Sequence, residues 1–139
     1  MRTGRFVLAS FAIFVTAIAW NGVVHLMILK QAEAAIRPIV RPDFGSKAWI
    51  SLVATLAVSG LFVAGYGRIA KSGSLREGAL YGLFFGVLAA LLVDVNQYVL
   101  YPIPGVLAAK WSLAGALEFV VYGLLVTKLY PVTGDRQRL

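Results

Sequence analysis

Apolar positions in this chain gather into four long runs separated by short polar stretches. The first covers about residues 6–29, FVLASFAIFVTAIAWNGVVHLMIL, and the second about 48–69, AWISLVATLAVSGLFVAGYGRI. The third covers about 79–101, ALYGLFFGVLAALLVDVNQYVLY, and the fourth about 106–130, VLAAKWSLAGALEFVVYGLLVTKLY. A helix needs roughly 20 apolar residues to cross the hydrocarbon core of a bilayer. Every run is long enough, and none shows the strict alternation of a barrel strand. The pattern predicts an all-α membrane protein: an antiparallel bundle of four transmembrane helices in a single domain, residues 1–139.

The joints between runs fit that topology. Lys71-Ser72-Gly73-Ser74 reads as a polar turn, and Tyr101-Pro102-Ile103-Pro104-Gly105 as a tight one, because its prolines cannot extend a helix. Such short turns predict that the second, third and fourth helices are successive antiparallel neighbours. The longest connection runs from Lys30 to Lys47. Its helix-favouring Gln31-Ala32-Glu33-Ala34-Ala35 predicts an extra helical turn that stops at Arg37-Pro38, and Arg41-Pro42-Asp43-Phe44-Gly45 reads as a turn. Arg2, Arg5 and Ala17-Ile18-Ala19 have the look of a signal peptide, but the apolar run continues to Leu29. That is longer than a signal core, so the expectation is a retained helix.

Composition agrees. Of the 139 residues, 60% are apolar, above the roughly 45–50% of soluble domains. Zero cysteine excludes disulfides, thiolate metal sites and a cysteine nucleophile, and one histidine excludes a multi-histidine site within one chain. The net charge of +7 raises the question of nucleic acid. The basic residues are divided between both sides of the spans, without interleaved aromatics, so no nucleic-acid partner is expected. They report topology instead. With the N-terminus inside, Arg2, Arg5, Arg68, Lys71, Arg76, Lys128, Arg136 and Arg138 lie inside. Lys30, Arg37, Arg41, Lys47 and Lys110 lie outside, so both termini are expected in the cytoplasm of a bacterial plasma (inner) membrane. Trp49, Tyr98, Tyr101 and Trp111 fall near the outer interface, and Tyr66, Tyr81 and Tyr130 near the inner one, as expected of headgroup belts.

The third run opens with Gly78-x-x-x-Gly82-x-x-x-Gly86, continued by Ala90. Residues four apart share a slowly drifting helix face, so these form a ridge that a neighbouring backbone can approach closely. The ridge serves an intrachain seam or a homo-oligomer, and the intrachain seam is the favoured reading.

Polar residues inside the spans are the candidate chemistry. Asn21 and His25 share a face of the first helix, Ser51, Thr55 and Ser59 one of the second, and Asp94, Asn96 and Gln97 lie in the third. Glu118 lies in the fourth. At about 1.5 Å per residue, Asn21, Thr55 and Asp94 sit roughly 5 Å outside the midplane. His25, Ser51 and Gln97 sit roughly 10 Å outside it, and Glu118 and Ser59 near it. The inner half is expected to hold almost none. The candidate cluster is Asn21, His25, Thr55, Asp94, Gln97 and Glu118. An acid at a helix centre costs on the order of 3 kcal/mol, so both acids should face inward, protonated or paired. Three roles stay open for them: structural hydrogen bonding, proton or cation handling, and contact with a partner or lipid. A metal held by His25, Asp94 and Glu118 is chemically conceivable, but their depths differ by about two helical turns, so no metal is expected.

Enzyme templates are missing: there is no phosphate loop, Gly-x-Ser-x-Gly or His-Glu-x-x-His, and no catalytic residue or cofactor is expected. With Gly82-x-x-x-Gly86, Asp94 and Pro102, the chain resembles the small uncharacterised four-helix inner-membrane proteins of bacteria. The resemblance spans the whole chain at the level of architecture, and carries over no site residue. The chain lacks the His- and Glu-rich signature of four-helix glutathione-handling membrane enzymes. It also lacks the first-helix Glu of small multidrug transporters, since Glu118 sits in the last helix. The expected function is a non-enzymatic structural or accessory subunit, among membrane lipids and beside a larger membrane partner or further copies of itself. The alternatives are a small proton- or cation-coupled transporter or channel using the polar cluster, and a lipid-modifying membrane enzyme.

Overall fold

The structure, a computed structural model, describes residues 3–132. Arg2, Arg136 and Arg138 of the inner charge set lie outside the described residues. Among the described residues all regular structure is helical. Four helical stretches are long and apolar enough to cross a membrane: Thr3–Ile28, Phe44–Ile69, Leu75–Leu100 and Gly105–Leu129.

In chain order, α1 (Thr3–Val23) runs into a π turn, Val24–Ile28. A short α2 (Lys30–Glu33) and a 3-10 turn (Ala34–Ile39) follow. Next comes α3 (Phe44–Ile69). Then α4 (Leu75–Ala89) passes through a second π turn, Ala90–Asp94, into α5 (Val95–Leu100). The chain closes with α6 (Gly105–Leu129). Thus the outer connection is helical where its Ala-rich stretch predicts it, and its 3-10 turn continues through Pro38 to Ile39.

The helices after the first two connections, starting at Phe44 and Leu75, each begin four residues before their apolar runs, where polar residues serve the first turns. Ser74 caps α4 by accepting from the Glu77 N–H at 3.2 Å. The Glu77 carboxylate reaches back to the N–H groups of Lys71, Ser72 and Gly73 at 2.7, 2.9 and 2.7 Å. This is an extended capping box, and it satisfies donors that the turn would otherwise leave bare. Gly73 has φ +64, a left-handed conformation that glycine adopts without a Cβ penalty. Before α3, Asp43 accepts from Arg41 Nε at 2.9 Å and Lys47 Nζ at 2.5 Å. Those bonds hold its carboxyl below the ordinary carboxylate value.

The most extensive helix seam joins α4 to α6. A Cβ added at Gly78 would collide with Thr127 Oγ1 and the Gly123 carbonyl, and one at Gly82 with the Phe119 carbonyl. At Gly86 it would lie 2.8 Å from Ala116 Cα. The pairing of 78 with 123, 82 with 119 and 86 with 116 shows that these two helices run in opposite directions.

The third and fourth spans are thus the neighbours expected, but the second span departs from the expectation, since the backbone of α3 lies against α1 rather than α4. The next seams join α1 to α3 and α1 to α6. α3 meets α4 through rings: Phe62 lies 4.7 Å from Tyr81 and 5.5 Å from Phe85, centroid to centroid, and Tyr66 lies 5.4 Å from Tyr81. The reason is steric. One face of α4 has no side chains and draws a backbone in, whereas the other carries rings that hold the next helix at a distance.

The main core sits at the end of the molecule where α1 and α4 begin and α3 and α6 finish. Ala9, Ile13 and Ala17 of α1 meet Phe62, Val63 and Tyr66 of α3, Tyr81 of α4, and Tyr122 and Val126 of α6. This end is more polar than the apolar pattern implies. The Tyr66 hydroxyl is 3.0 Å from Thr127 Oγ1, and Tyr81 donates to the Phe62 carbonyl at 2.9 Å. Tyr66, expected at headgroup depth, is 0% exposed. Its ring fills the core and its hydroxyl finds a protein partner, as a buried tyrosine must. Trp49, Tyr98 and Tyr101 do face outward. A smaller core at the far end joins Val24 and Leu29 to Ile103, Leu107 and Ala108.

The seam makes a direct prediction. Gly82→Ala should destabilise by about 1–3 kcal/mol through overpacking. Gly115→Ala, whose added Cβ would meet nothing within 4 Å, should be neutral or stabilise by up to about 1 kcal/mol. Thermal unfolding in detergent reads the contrast, and equal behaviour of the two variants would contradict the seam.

Candidate functional site

The two π turns carry candidate residues into position. In each, a backbone N–H bonds five residues back: Leu29 to the Val24 carbonyl, and Val95 to the Ala90 carbonyl. His25 lies in the first π turn and Asp94 ends the second. A four-residue step overshoots one α turn by about 40°, so four steps from Gly78 would swing Asp94 about 160° off the glycine face. The extra residue absorbed by the π turn returns about 100° of that. Asp94 therefore stays on the side of Gly86, and both line one cleft.

That cleft has a volume of about 290 Å³. Of the six candidate residues, Asn21, His25, Asp94, Gln97 and Glu118 line it, together with Trp111. Thr55 does not join them. Its hydroxyl donates to the Ser51 carbonyl of its own helix at 2.8 Å. Helical spacing put Thr55 at a matching depth, but α3 is mostly exposed from Phe44 to Val58, so depth did not become proximity. Gly78 and Gly82 lie in the seam with α6, and Gly86 and Ala90 also border the cleft.

Glu118 is the most enclosed acid, 9% exposed. Its Oε1 accepts from Asn21 Nδ2 of α1 at 2.8 Å and from the Tyr122 hydroxyl one turn along α6. Asn21 Nδ2 also donates to the Ala17 carbonyl at 2.9 Å, so both its N–H groups are used. Asp94 Oδ2 accepts from Ser112 Oγ of α6 at 3.1 Å. Each acid thus ties two helices together by a hydrogen bond.

A second group closes the far end. His25 Nδ1 contacts Glu33 Oε1, and the same oxygen accepts from Trp111 Nε1 at 3.0 Å. Glu33 therefore clasps the outer connection to both α1 and α6. A second hollow of about 360 Å³ lies beneath this connection, lined by His25, Glu33, Arg37 and their apolar neighbours. Glu33 and Ser112 are absent from the candidates read from sequence. Glu33 follows His25 by two turns of nearly continuous helix, the one signal that links them; Ser112 meets Asp94 only through the fold.

Chemically, the cleft gathers two carboxyl groups with the polar side chains of Asn21, His25, Gln97 and Trp111 among apolar neighbours. Among the described residues no three His, Asp or Glu side chains converge as metal ligands.

Glu33→Ala removes both clasp bonds. Bonds to a charged group contribute about 1.5–3 kcal/mol each when protected, and the partial exposure of Glu33 places the loss near the low end. Hydrogen exchange of residues 30–39 should accelerate by about tenfold, with the α4–α6 seam unchanged. Unaltered exchange would show that the connection is held by its apolar contacts alone.

Comparison with known proteins gives no family model that matches the chain, no curated protein that matches it and no solved structure that matches it.

Proposed function

We propose that this chain is an antiparallel four-helix bundle in a bacterial plasma membrane, both termini cytoplasmic, acting as a non-enzymatic accessory subunit. One observation carries the reading: the helices leave most of their apolar surface uncovered. Only 17–28% of each apolar window is buried within the chain. From Phe44 to Val58, α3 is mostly exposed, including Trp49, Ile50, Val53 and Leu56. A surface of this extent needs lipid, a partner helix, or both. The unequal division of Lys and Arg supports the orientation. The Gly78-Gly82-Gly86 ridge is read as serving the intrachain seam, which leaves the exposed faces of α3 and α5 for neighbours.

Purification in mild detergent should then yield a complex with a larger membrane protein, or a homo-oligomer. Recovery of lone monomers only, across several mild detergents, would overturn the accessory role.

A second reading has its own observation: Asp94, Glu118 and His25 meet on one cleft. This favours a small proton- or cation-coupled carrier. It expects Glu118→Gln to abolish pH-dependent flux in reconstituted vesicles while the fold persists. The buried rings of Tyr66, Tyr81 and Tyr122 beyond the cleft weigh against an open channel.

A further inference from the structure

We propose that the cleft between α1, α4 and α6 is a binding site for a primary ammonium group. The inference rests on the membrane placement proposed above. It concerns the site itself, not the accessory role.

The argument is one of hydrogen-bond complementarity. The protein donors that touch the two acids are already committed, and Gln97 and the His25 ring also line the cleft. Both N–H groups of Asn21 are used, and Ser112 and Tyr122 point their hydroxyls at Asp94 and Glu118. Trp111 gives its N–H to Glu33. What remains on the two acids themselves is acceptors. Glu118 Oε2 and Asp94 Oδ1 have no hydrogen-bond partner among the described residues, and the Asn21 side-chain carbonyl is likewise free. Glu118 is nine-tenths buried, yet Oε2 is not sealed against protein, so its opening is the cleft it lines.

An unpaired carboxylate oxygen in such surroundings requires a donor and a countercharge. A guest that suits these oxygens brings several donors and a positive charge. A primary ammonium has three N–H donors and no acceptor. A quaternary ammonium has no donors and would leave every acceptor unpaired. A guanidinium prefers a fork of two free oxygens on one carboxylate. Glu118 Oε1 already takes two bonds and Asp94 Oδ2 one, so neither acid offers that fork. The acceptors come from three elements: Asn21 from α1, Asp94 from the second π turn and Glu118 from α6. A volume of about 290 Å³ holds an aminoethyl group with room for its attachment.

The ammonium can come from an aminophospholipid headgroup or from a free amine, and two arms separate the sources. In the first, the protein is reconstituted in phosphatidylcholine nanodiscs doped with phosphatidylethanolamine, and lipid retained on release is measured by native mass spectrometry. In the second, ethylamine is titrated against protein in pure phosphatidylcholine nanodiscs, read by tryptophan fluorescence. Tetramethylammonium is the control.

Retention of one phosphatidylethanolamine per chain, or saturable ethylamine binding, is the expected result. The quaternary counterparts should fail. Glu118→Gln and Asp94→Asn should each weaken binding by about tenfold or more, the effect of losing a charged hydrogen-bond partner. Circular dichroism checks that each variant is folded. If Glu118→Gln does not fold, Asp94→Asn decides, because Asp94 makes one side-chain bond where Glu118 makes two. Binding in neither arm, equal binding of quaternary and primary amines, or unchanged affinity in the folded variants overturns the proposal. The assay uses the isolated chain, so a finding of lone monomers, which would end the accessory reading, leaves its outcome independent.

Discussion

The close approach of α4 to α6 is the constraint on which the other contacts depend. Three glycines a turn apart remove every side chain from one face of α4, and the α6 backbone fills that space. Between apolar helices there is little hydrophobic drive to associate in lipid, so van der Waals contact over a smooth ridge is the available attraction. Once the two backbones touch, the rotation of α6 is set. Its Phe119, Tyr122 and Val126 then face the core, while Glu118 turns toward Asn21 of α1. The ring cluster around Phe62 follows, because α3 can approach α4 only as far as Tyr81 and Phe85 allow.

The seam also separates the two halves of the molecule. At the end where α1 and α4 begin and α3 and α6 finish, glycine contact and aromatic rings leave a filled interior. Toward the far end the ridge runs out after Gly86, and the second π turn begins at Ala90. There the helices part, and the space between them is the cleft. The two wide turns lie on opposite walls, in α1 and in the α4–α5 rod, and each holds a titratable residue. A π turn within an α-helix is uncommon and recurs near functional sites, because it redirects one side chain without ending the helix. Here it keeps Asp94 on the interior side.

The connection between α1 and α3 completes this end by a different device. A single carboxylate, Glu33, accepts from a histidine of one helix and a tryptophan of another. Ala32 and Ile36 add apolar contact with the smaller core. The connection is thereby part of the site's architecture, although its sequence reads as a linker.

Much of this was legible along the chain. Four apolar runs identify four helices, because a backbone without water must satisfy its own hydrogen bonds over a length set by the run. Lys71-Ser72-Gly73-Ser74 marks the turn before α4, and the glycine spacing marks a face for close approach; these are short-range relations. Asn21, His25, Asp94, Gln97 and Glu118 were recognisable because any polar group in an apolar run stands out. What the chain could not specify is which helices touch. Thr55 matched the cluster in depth and lies elsewhere, and Glu33 and Ser112 belong to the site without a local mark. Tyr66 and Tyr81 read as belt residues and are core. Local sequence determines the period, length and ends of each helix. Their rotation and neighbours depend on the sum of many weak contacts between distant segments. A single extra residue in a π turn shifts a face by about 100°, so the partners of each polar group were decided only in the folded chain.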